Sequence, residues 1–391
     1  MRERSPFEVL FVFLQLGITS FGGPVAHIGY FREALIVRRG WLDDAAYTDL
    51  VALCQFLPGP ASSQVAFALG LNRAGYWGGL AAWVGFTLPS AVLMTAFALG
   101  VRGLDGTLGR GALHGLELVA VAIVAQAVLG MARTLCPDRQ RAAIACIAAL
   151  LVLFSRSAAA PIATIVFGGI TGLWLCRVAT PMPVGTLGMP VSRRVGILAL
   201  GTFGILLVAL PSIGGASQPA RLFDAFYRAG ALVFGGGHVM LPLLSETFVG
   251  HGWVAADAFL AGYGAAQAMP GPLFTFAAYL GAVAGPTPLG ISGAALGLAA
   301  IFLPGTLILV GTLPFWDEYR QRVGAQAVMR GINAAVVGLL GAALYHPLWT
   351  SAVKTPGDVA VALLGLFLLS AWRIPPLIVV ILSALGGMAR A

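Results

Sequence analysis

Two helix-breaking clusters occur in the same order in both halves of this chain, each inside apolar sequence. Ser20-Phe21-Gly22-Gly23-Pro24 precedes Gln55-Phe56-Leu57-Pro58-Gly59-Pro60, and Val233-Phe234-Gly235-Gly236-Gly237 precedes Gln267-Ala268-Met269-Pro270-Gly271-Pro272. Irregular backbone survives at membrane depth only where protein buries it or a polar cavity faces it. Discontinuous helices at corresponding places in two halves are where many secondary transporters hold their substrates. The pattern predicts an all-α polytopic membrane protein with an inverted-topology internal repeat and broken, re-entrant helices. The repeats are residues 1–194 and 195–391, with 195–213 as a linking span.

Composition agrees. Hydrophobic residues make up 59% of the chain and charged residues 10%, against about a quarter charged in soluble domains. No polar stretch is long enough to form a separate soluble domain. The net charge of +8 rests on arginine, with Lys354 the single lysine. The arginines sit singly or in small groups between apolar segments, as topology signals do, which argues against nucleic acid as a partner. Cys54, Cys136, Cys146 and Cys176 form no Cys-x-x-Cys pair and have no histidine cluster beside them, so neither a metal site nor a disulfide framework is expected. They read as small buried hydrophobes. Phe7–Phe21 lacks a small-x-small cleavage site and leads straight into a repeated motif, so it reads as part of the mature protein.

About nine full spans are expected, near 74–101, 113–133, 141–157, 160–177, 195–213, 288–314, 331–349, 358–372 and 374–390. Four further segments, near 7–30, 46–70, 221–244 and 257–282, carry the breaks and read as helical hairpins returning to their own side. Arg2 and Arg4 place the N-terminus in the cytoplasm. Arg32, Arg38 and Arg39, the 133–141 loop, Arg177, Arg193 and Arg194, and Arg320, Arg322 and Arg330 then also fall inside. The segment 245–257, which has neither Lys nor Arg, falls outside. Arg102 and Arg110, flanking Asp105, fall outside against the rule.

At Pro58-Gly59-Pro60 one helix stops, the chain turns, and a new helix starts. The amides of Ala61, Ser62 and Ser63 are then free donors at a helix N-terminus, with Leu273, Phe274 and Thr275 in the matching places. Such a terminus attracts anions, worth about 0.3–1 kcal/mol when exposed and about 2 when partly buried. Ser63 and Thr275 add matched hydroxyls, and Gln55 and Gln267 matched amides. Gly22-Gly23 and Gly235-Gly236-Gly237 suit either a nest of amides around an anion or close helix packing. His27 and His238 read as anion donors, as proton carriers, or as polar groups satisfying a turn. Glu117, opposite Asn333 in the repeat, is a candidate for proton coupling, or an interfacial residue.

Ser20–Arg32, Trp41-Leu42-Asp43, Leu53–Gln64, Phe234–Pro242, Gln267–Pro272 and Gly331–Gly338 resemble the signatures of the chromate transporter family in its long, two-domain form. The resemblance covers nearly the whole chain. It implies a multi-pass protein of the bacterial inner membrane that exports chromate, driven by the membrane potential or a proton gradient, and confers chromate resistance, with sulfate as a competitor. Carried over by motif position, it implies functional roles for Gly22, Gly23, Pro24, His27, Arg32, Gln55, Pro58, Gly59, Pro60, Ser62, Ser63 and Gln64. In the second half it implies them for Gly235, Gly236, Gly237, His238, Gln267, Pro270, Gly271 and Pro272. The expected partners are chromate and membrane lipid; a homodimer is left open, and no cofactor is expected. A sulfate or other oxyanion carrier is the alternative on this scaffold, and a passive channel would also bind anions weakly between broken helices. An intramembrane enzyme would need paired aspartates, a Ser–His pair or a His-x-x-x-His motif within spans, and none is found.

Overall fold

A computed structural model describes residues 5–100, 106–155, 160–177, 188–213, 215, 217–234, 236–285, 287–319 and 322–390. Gly235 therefore lies outside the described residues, as do Arg2, Arg4, Arg102, Asp105 and Arg320. The described residues are mostly helical, and none of them forms a strand. In the first half the helices are α1 (Pro6–Thr19), α2 (Gly23–Phe31), α3 (Asp44–Phe56), α4 (Ala61–Gly100), α5 (Thr107–Leu135), α6 (Arg139–Phe154) and α7 (Ala160–Leu175). Helix α8 (Arg193–Ile213) links to α9 (Gln218–Leu232), α10 (Met240–Phe248), α11 (Ala256–Ala268), α12 (Phe276–Val283) and α13 (Gly290–Thr312). The chain closes with α14 (Trp316–Tyr319), α15 (Val323–Ala343), α16 (Thr350–Ala352), α17 (Pro356–Ser370) and α18 (Pro376–Met388).

Helix starts follow local chemistry. Ser5, Asp43, Asp138 and Ser217 each accept an amide of the first turn that follows, and Thr355 with Asp358 forms a reciprocal capping box. Five described helical stretches are long and apolar enough to cross a membrane: Ala61–Gly100, Thr107–Leu135, Arg193–Ser212, Gly290–Phe315 and Val323–Ala352. Bulky side chains such as Phe11, Trp77, Phe154, Trp174 and Val208 are exposed, as a lipid-facing surface requires. The apolar window of α8 is only 11% buried, so this linking helix runs along the outside.

The 40-residue run of α4 is two antiparallel segments, not one rod. Ala74 and Gly75 leave helical geometry, and the reversal presses Gly70 against the Gly78 carbonyl. Arg73, at this turn, pairs with Glu8 near the start of α1 at 3.0 Å, which puts the turn and that helix start at one end of the molecule. The second half repeats the design. Gly281 of α12 packs on Gly293 of α13, and Gln218, at the start of α9, donates to the Ala284 and Thr287 carbonyls of the turn between them.

The halves interlock through small residues. Helix α15 packs on α6 and α7, with Gly331 against Gly168 and Gly172 and Gly338 against the Ala145 carbonyl. Reciprocally, α5 packs on α17 and α18, with Gly115 against Ser383 and Gly387 against Gly111. Without a hydrophobic drive between helices in lipid, such close backbone approach supplies the attraction. Four of the expected spans are short here: α6 and α7 have 16 residues each, α17 has 15 and α18 has 13. At 1.5 Å per residue they cover roughly 20–24 Å, less than an untilted crossing.

Candidate functional site

The four breaks meet at the centre, each half completing the other. Gly59 donates its N–H to the Val233 carbonyl at 2.7 Å, and Gly271 donates to the Ser20 carbonyl at 2.9 Å. Ser20 and Val233 hold the same position, the cap at the broken end of α1 and of α9. Each Pro-Gly-Pro turn thus satisfies an orphan carbonyl at the interrupted helix of the opposite half. Both glycines are required. Gly59 has φ +120° and Gly271 has φ +93°. A Cβ on Gly59 would lie 2.9 Å from Gly305 Cα, and one on Gly271 would lie 2.9 Å from Ser90 Oγ. Gly23 and Gly236 also have positive φ, but nothing lies within 4 Å of a Cβ there. Close packing does not explain those two; the backbone turn does.

A cavity of about 670 Å³ opens against these breaks. Gly22, Gly23, Pro24, Gln55 and Gly59 line it from the first half, and Gly236, Gly237 and His238 from the second. Gln126, Gly130 and Thr134 of α5, Asn333 of α15, and Cys54 complete the wall. Among the described residues no lining side chain is an Asp, Glu, Lys or Arg, so an anion here would meet amide, hydroxyl and imidazole donors and backbone N–H groups. The first hydrogen bond of α4 runs from the Gln64 N–H to the Pro60 carbonyl at 2.9 Å. The amides of Ala61, Ser62 and Ser63 precede it, at the helix N-terminus beside Gly59.

The remaining expected residues stand behind this wall. Pro58 and Pro60 shape the turn. Ser62, Ser63 and Gln64 are buried, and Gln64 Nε2 donates to the Pro58 and Gly305 carbonyls, both at 2.9 Å. Pro270, Gly271 and Pro272 are enclosed. The expected free donors of Thr275 are consumed locally: its hydroxyl donates to the Pro272 carbonyl at 2.8 Å and its amide to the same oxygen at 3.1 Å. Gln267 lies beside Tyr263, and the Tyr263 hydroxyl is 2.8 Å from His238 Nδ1.

Buried polar atoms without hydrogen-bond partners gather around the breaks. They include Ser20 Oγ, a ring nitrogen of His27, Ser63 Oγ, Gln64 Oε1, Thr87 Oγ1, Gln267 Nε2 and Asn333 Oδ1. Each such group costs about 1–3 kcal/mol, so their concentration marks a place optimised for something besides stability. Thr87, Gln126 and Cys54 were not singled out as site residues; an isolated Thr, Gln or Cys in apolar sequence gives no spacing signal.

Arg32 stands away from the cavity. Its Nε is 2.7 Å from Asp44 Oδ1, with both side chains more than half exposed. The hydrogen bond from Arg32 holds the Asp44 carboxyl below its ordinary value and raises the guanidinium in turn. Glu117 is also outside the cavity wall, buried early in α5. It faces His114 at 3.3 Å, and the other ring nitrogen of His114 is 3.1 Å from Asp358 of α17. Arg390 closes on the same Asp358 oxygen at 3.2 Å. Glu117 thus belongs to a polar clasp between the halves, while Asn333, its counterpart in the repeat, lines the cavity.

A family profile described as Chromate transporter matches residues 7–173 and again 220–388. The chain belongs to the chromate transporter family. It is 29% identical to the chromate transport protein of Pseudomonas aeruginosa, over 96% of this chain and 89% of that one. To the chromate transport protein of Cupriavidus metallidurans it is 26% identical, over 92% and 86%. An uncharacterized transporter of Methanocaldococcus jannaschii is 25% identical over 86% and 83%. No solved structure matches the chain. This chromate transporter family member is accordingly a multi-pass membrane protein of a transporter family.

Proposed function

We propose that this protein exports chromate across the bacterial inner membrane by secondary active transport, with the N-terminus in the cytoplasm, and so confers chromate resistance. The dianion binds in the central cavity against Gly22, Gly23, Gln55, Gly59, Gly236, Gly237 and His238, and takes hydrogen bonds from the α4 N-terminus. The chemistry of the curated relatives at 26–29% identity supports chromate as substrate. The observation that carries the mechanism is the reciprocal pair of hydrogen bonds, Gly59 to Val233 and Gly271 to Ser20. They tie the two repeats together at matched points beside a cavity that both line. Only the first-half Pro-Gly-Pro turn reaches that cavity; the second-half turn is sealed. A repeat whose two sites differ in exposure is what alternating access requires, because exchanging the roles of the halves would open the opposite side.

The grooves flanking the site follow the same symmetry. One of about 450 Å³ includes Gln15, Glu33 and Arg38. Its counterpart of about 450 Å³ includes Arg228, Glu246 and His251 at the matching places. They serve as vestibules on opposite sides, the first carrying Arg38 and Arg39 on its wall. A carrier of sulfate or another tetrahedral oxyanion is the second reading, since an uncharged wall of neutral donors does not separate these dianions.

The test is chromate accumulation in cells with and without the protein, repeated after the proton gradient is collapsed. Inverted vesicles then compare labelled sulfate with chromate. Expression lowers cellular chromate only while the gradient stands. Equal accumulation with and without the protein refutes export.

A further inference from the structure

We infer that Ser20, His27 and Thr87 form a proton site separate from the anion cavity, with His27 the group that gains and loses the proton during transport. The inference rests on the reading of the chain as a gradient-driven carrier. Ser20 and His27 are each 1% exposed and Thr87 is 3% exposed. Among the described residues the His27 ring has only the Ser20 backbone as a hydrogen-bond partner, which leaves one ring nitrogen without one, and the hydroxyls of Ser20 and Thr87 have none. The Ser20 backbone hydrogen-bonds the His27 ring, and that ring meets the Phe86 ring edge-on at 5.2 Å; Thr87 is the residue after Phe86 in α4. Gly271 closes the group, donating to the Ser20 carbonyl at 2.9 Å and standing within reach of the Phe86 carbonyl and Ser90 Oγ.

The internal repeat shows that the fold does not need polar groups here. Ser20 corresponds to Val233, and His27 to Met240. Thr87 corresponds to Phe302, because Pro89 and Pro304 interrupt matching helices and Gly17 meets Phe86 as Gly230 meets Ile301. Val233 and Met240 are 0% exposed and Phe302 is 3% exposed, all ordinary apolar packing. One half therefore fills this position with hydrocarbon, and the other places there two unpaired hydroxyls and an imidazole tied only to the Ser20 backbone. That difference between otherwise matched sites points to a ligand.

The ligand must be very small. None of the three residues lines the central cavity, and their unpartnered atoms are closed to water. A proton needs no volume, whereas a second oxyanion or a hydrated cation does. The proton bonds to an imidazole nitrogen from water on one side of the membrane and leaves to water on the other.

Other titratable groups do not compete at this point. The segment of α4 facing the ring, residues 76–100, carries none beyond Tyr76. From α3, Tyr47 donates its hydroxyl to the Ile28 carbonyl, and Cys54 faces the cavity. In the π-helical turn after α2, Arg32 is held by Asp44 from the start of α3, and Glu33 by Arg38. The second-half turn Met269–Pro272 has no ionisable side chain. His27 is linked to the cavity through α2 itself, since Gly23 and Pro24, one turn earlier, line it. A movement of α2 about Gly22 and Gly23 would therefore carry the ring with it.

The experiment uses the full chain in proteoliposomes with an internal pH dye. It compares net chromate flux coupled to proton movement with chromate–chromate exchange, which needs no proton turnover. In His27→Gln the ratio of coupled flux to exchange falls by about tenfold or more, and the pH dependence of net flux disappears. The paired variant Ser20→Ala with Thr87→Val keeps the imidazole and shifts the pH of half-maximal net flux. Wild-type coupling in His27→Gln overturns the proposal, and so does parallel loss of exchange and chromate binding in a folded His27→Gln protein. If His27→Gln fails to fold, an unmoved pH profile in the paired variant overturns it instead. Absence of chromate flux in the wild type overturns the functional reading beneath it.

Discussion

Gly59 shows how much of the site depends on the absence of a single carbon. Its φ of +120° strains any L side chain, and its α-carbon faces Gly305 so closely that a methyl group would collide with backbone. Strained φ alone costs about 1–3 kcal/mol. Gly59→Ala should lower the melting temperature in detergent and abolish chromate resistance; resistance at the wild-type level would show that the turn is dispensable. Gln64 tests the support behind the turn. Its amide bonds the Pro58 and Gly305 carbonyls at once, so Gln64→Leu leaves two buried acceptors short of a donor, at about 1–3 kcal/mol. A measurable fall in melting temperature is expected, where Arg32→Gln should leave it unchanged. The Arg32–Asp44 pair is exposed, and the lowered Asp44 value means the contact persists above the ordinary carboxylate range. It is lost only as pH falls through the lowered value. Arg32→Gln should instead weaken the salt dependence of chromate uptake into inverted vesicles, because an exposed charge steers a dianion only within the Debye length.

Among the elements, the breaks were legible in the sequence and their partners were not. Pro58-Gly59-Pro60 and its repeat declare where helices stop, since proline and glycine act through backbone geometry alone. Nothing local tells that Gly59 bonds Val233 while Gly271 bonds Ser20; that follows from how the halves interlock. Glu117 illustrates the same limit. The sequence left it between proton coupling and an interfacial position, and its partners His114 and Asp358 are joined only by the packing of α5 on α17. The expected spans at 141–157, 160–177 and 374–390 are slightly longer than α6, α7 and α18, because hydropathy runs smoothly into the turns that bound them, whereas α17 has the expected 15 residues, shifted by two. The resemblance of Gly331–Gly338 to a family segment acquires a physical reason, as both glycines meet first-half helices at backbone distance. Gly331→Val would drive side-chain carbons into the Gly168 carbonyl, and overpacking costs typically about 1–3 kcal/mol or more. It should shift the protein toward aggregate in fluorescence-detected gel filtration, whereas Gly341→Val, with open space around its Cβ position, should not. Equal monodispersity of the two variants would remove the small-residue seam as the basis of assembly.

At the scale of the whole molecule, the proposed alternating access rests on the difference in exposure between two matched turns. The Gly59 turn lines the cavity and the Gly271 turn is sealed, although both make the same kind of hydrogen bond to the opposite half. If the halves exchange these roles, a probe in the cavity must see one side of the membrane at a time. Cys54 provides that probe, because its residue lines the cavity while being only 1% exposed, so a reagent reaches it only through the cavity or after movement. A variant with Cys136, Cys146 and Cys176 replaced by Ala leaves it as the single thiol. With the orientation read from the arginines, a membrane-impermeant thiol reagent should label Cys54 from the cytoplasmic face and only slowly from the opposite face. Chromate at ten times its dissociation constant should slow labelling about tenfold, by simple occupancy. A transmembrane gradient that drives export should raise labelling from the outside, as the population shifts toward the opposite opening. Labelling at equal rates from both faces, unaffected by chromate, would describe a continuous pore and leave the matched turns without a role in gating.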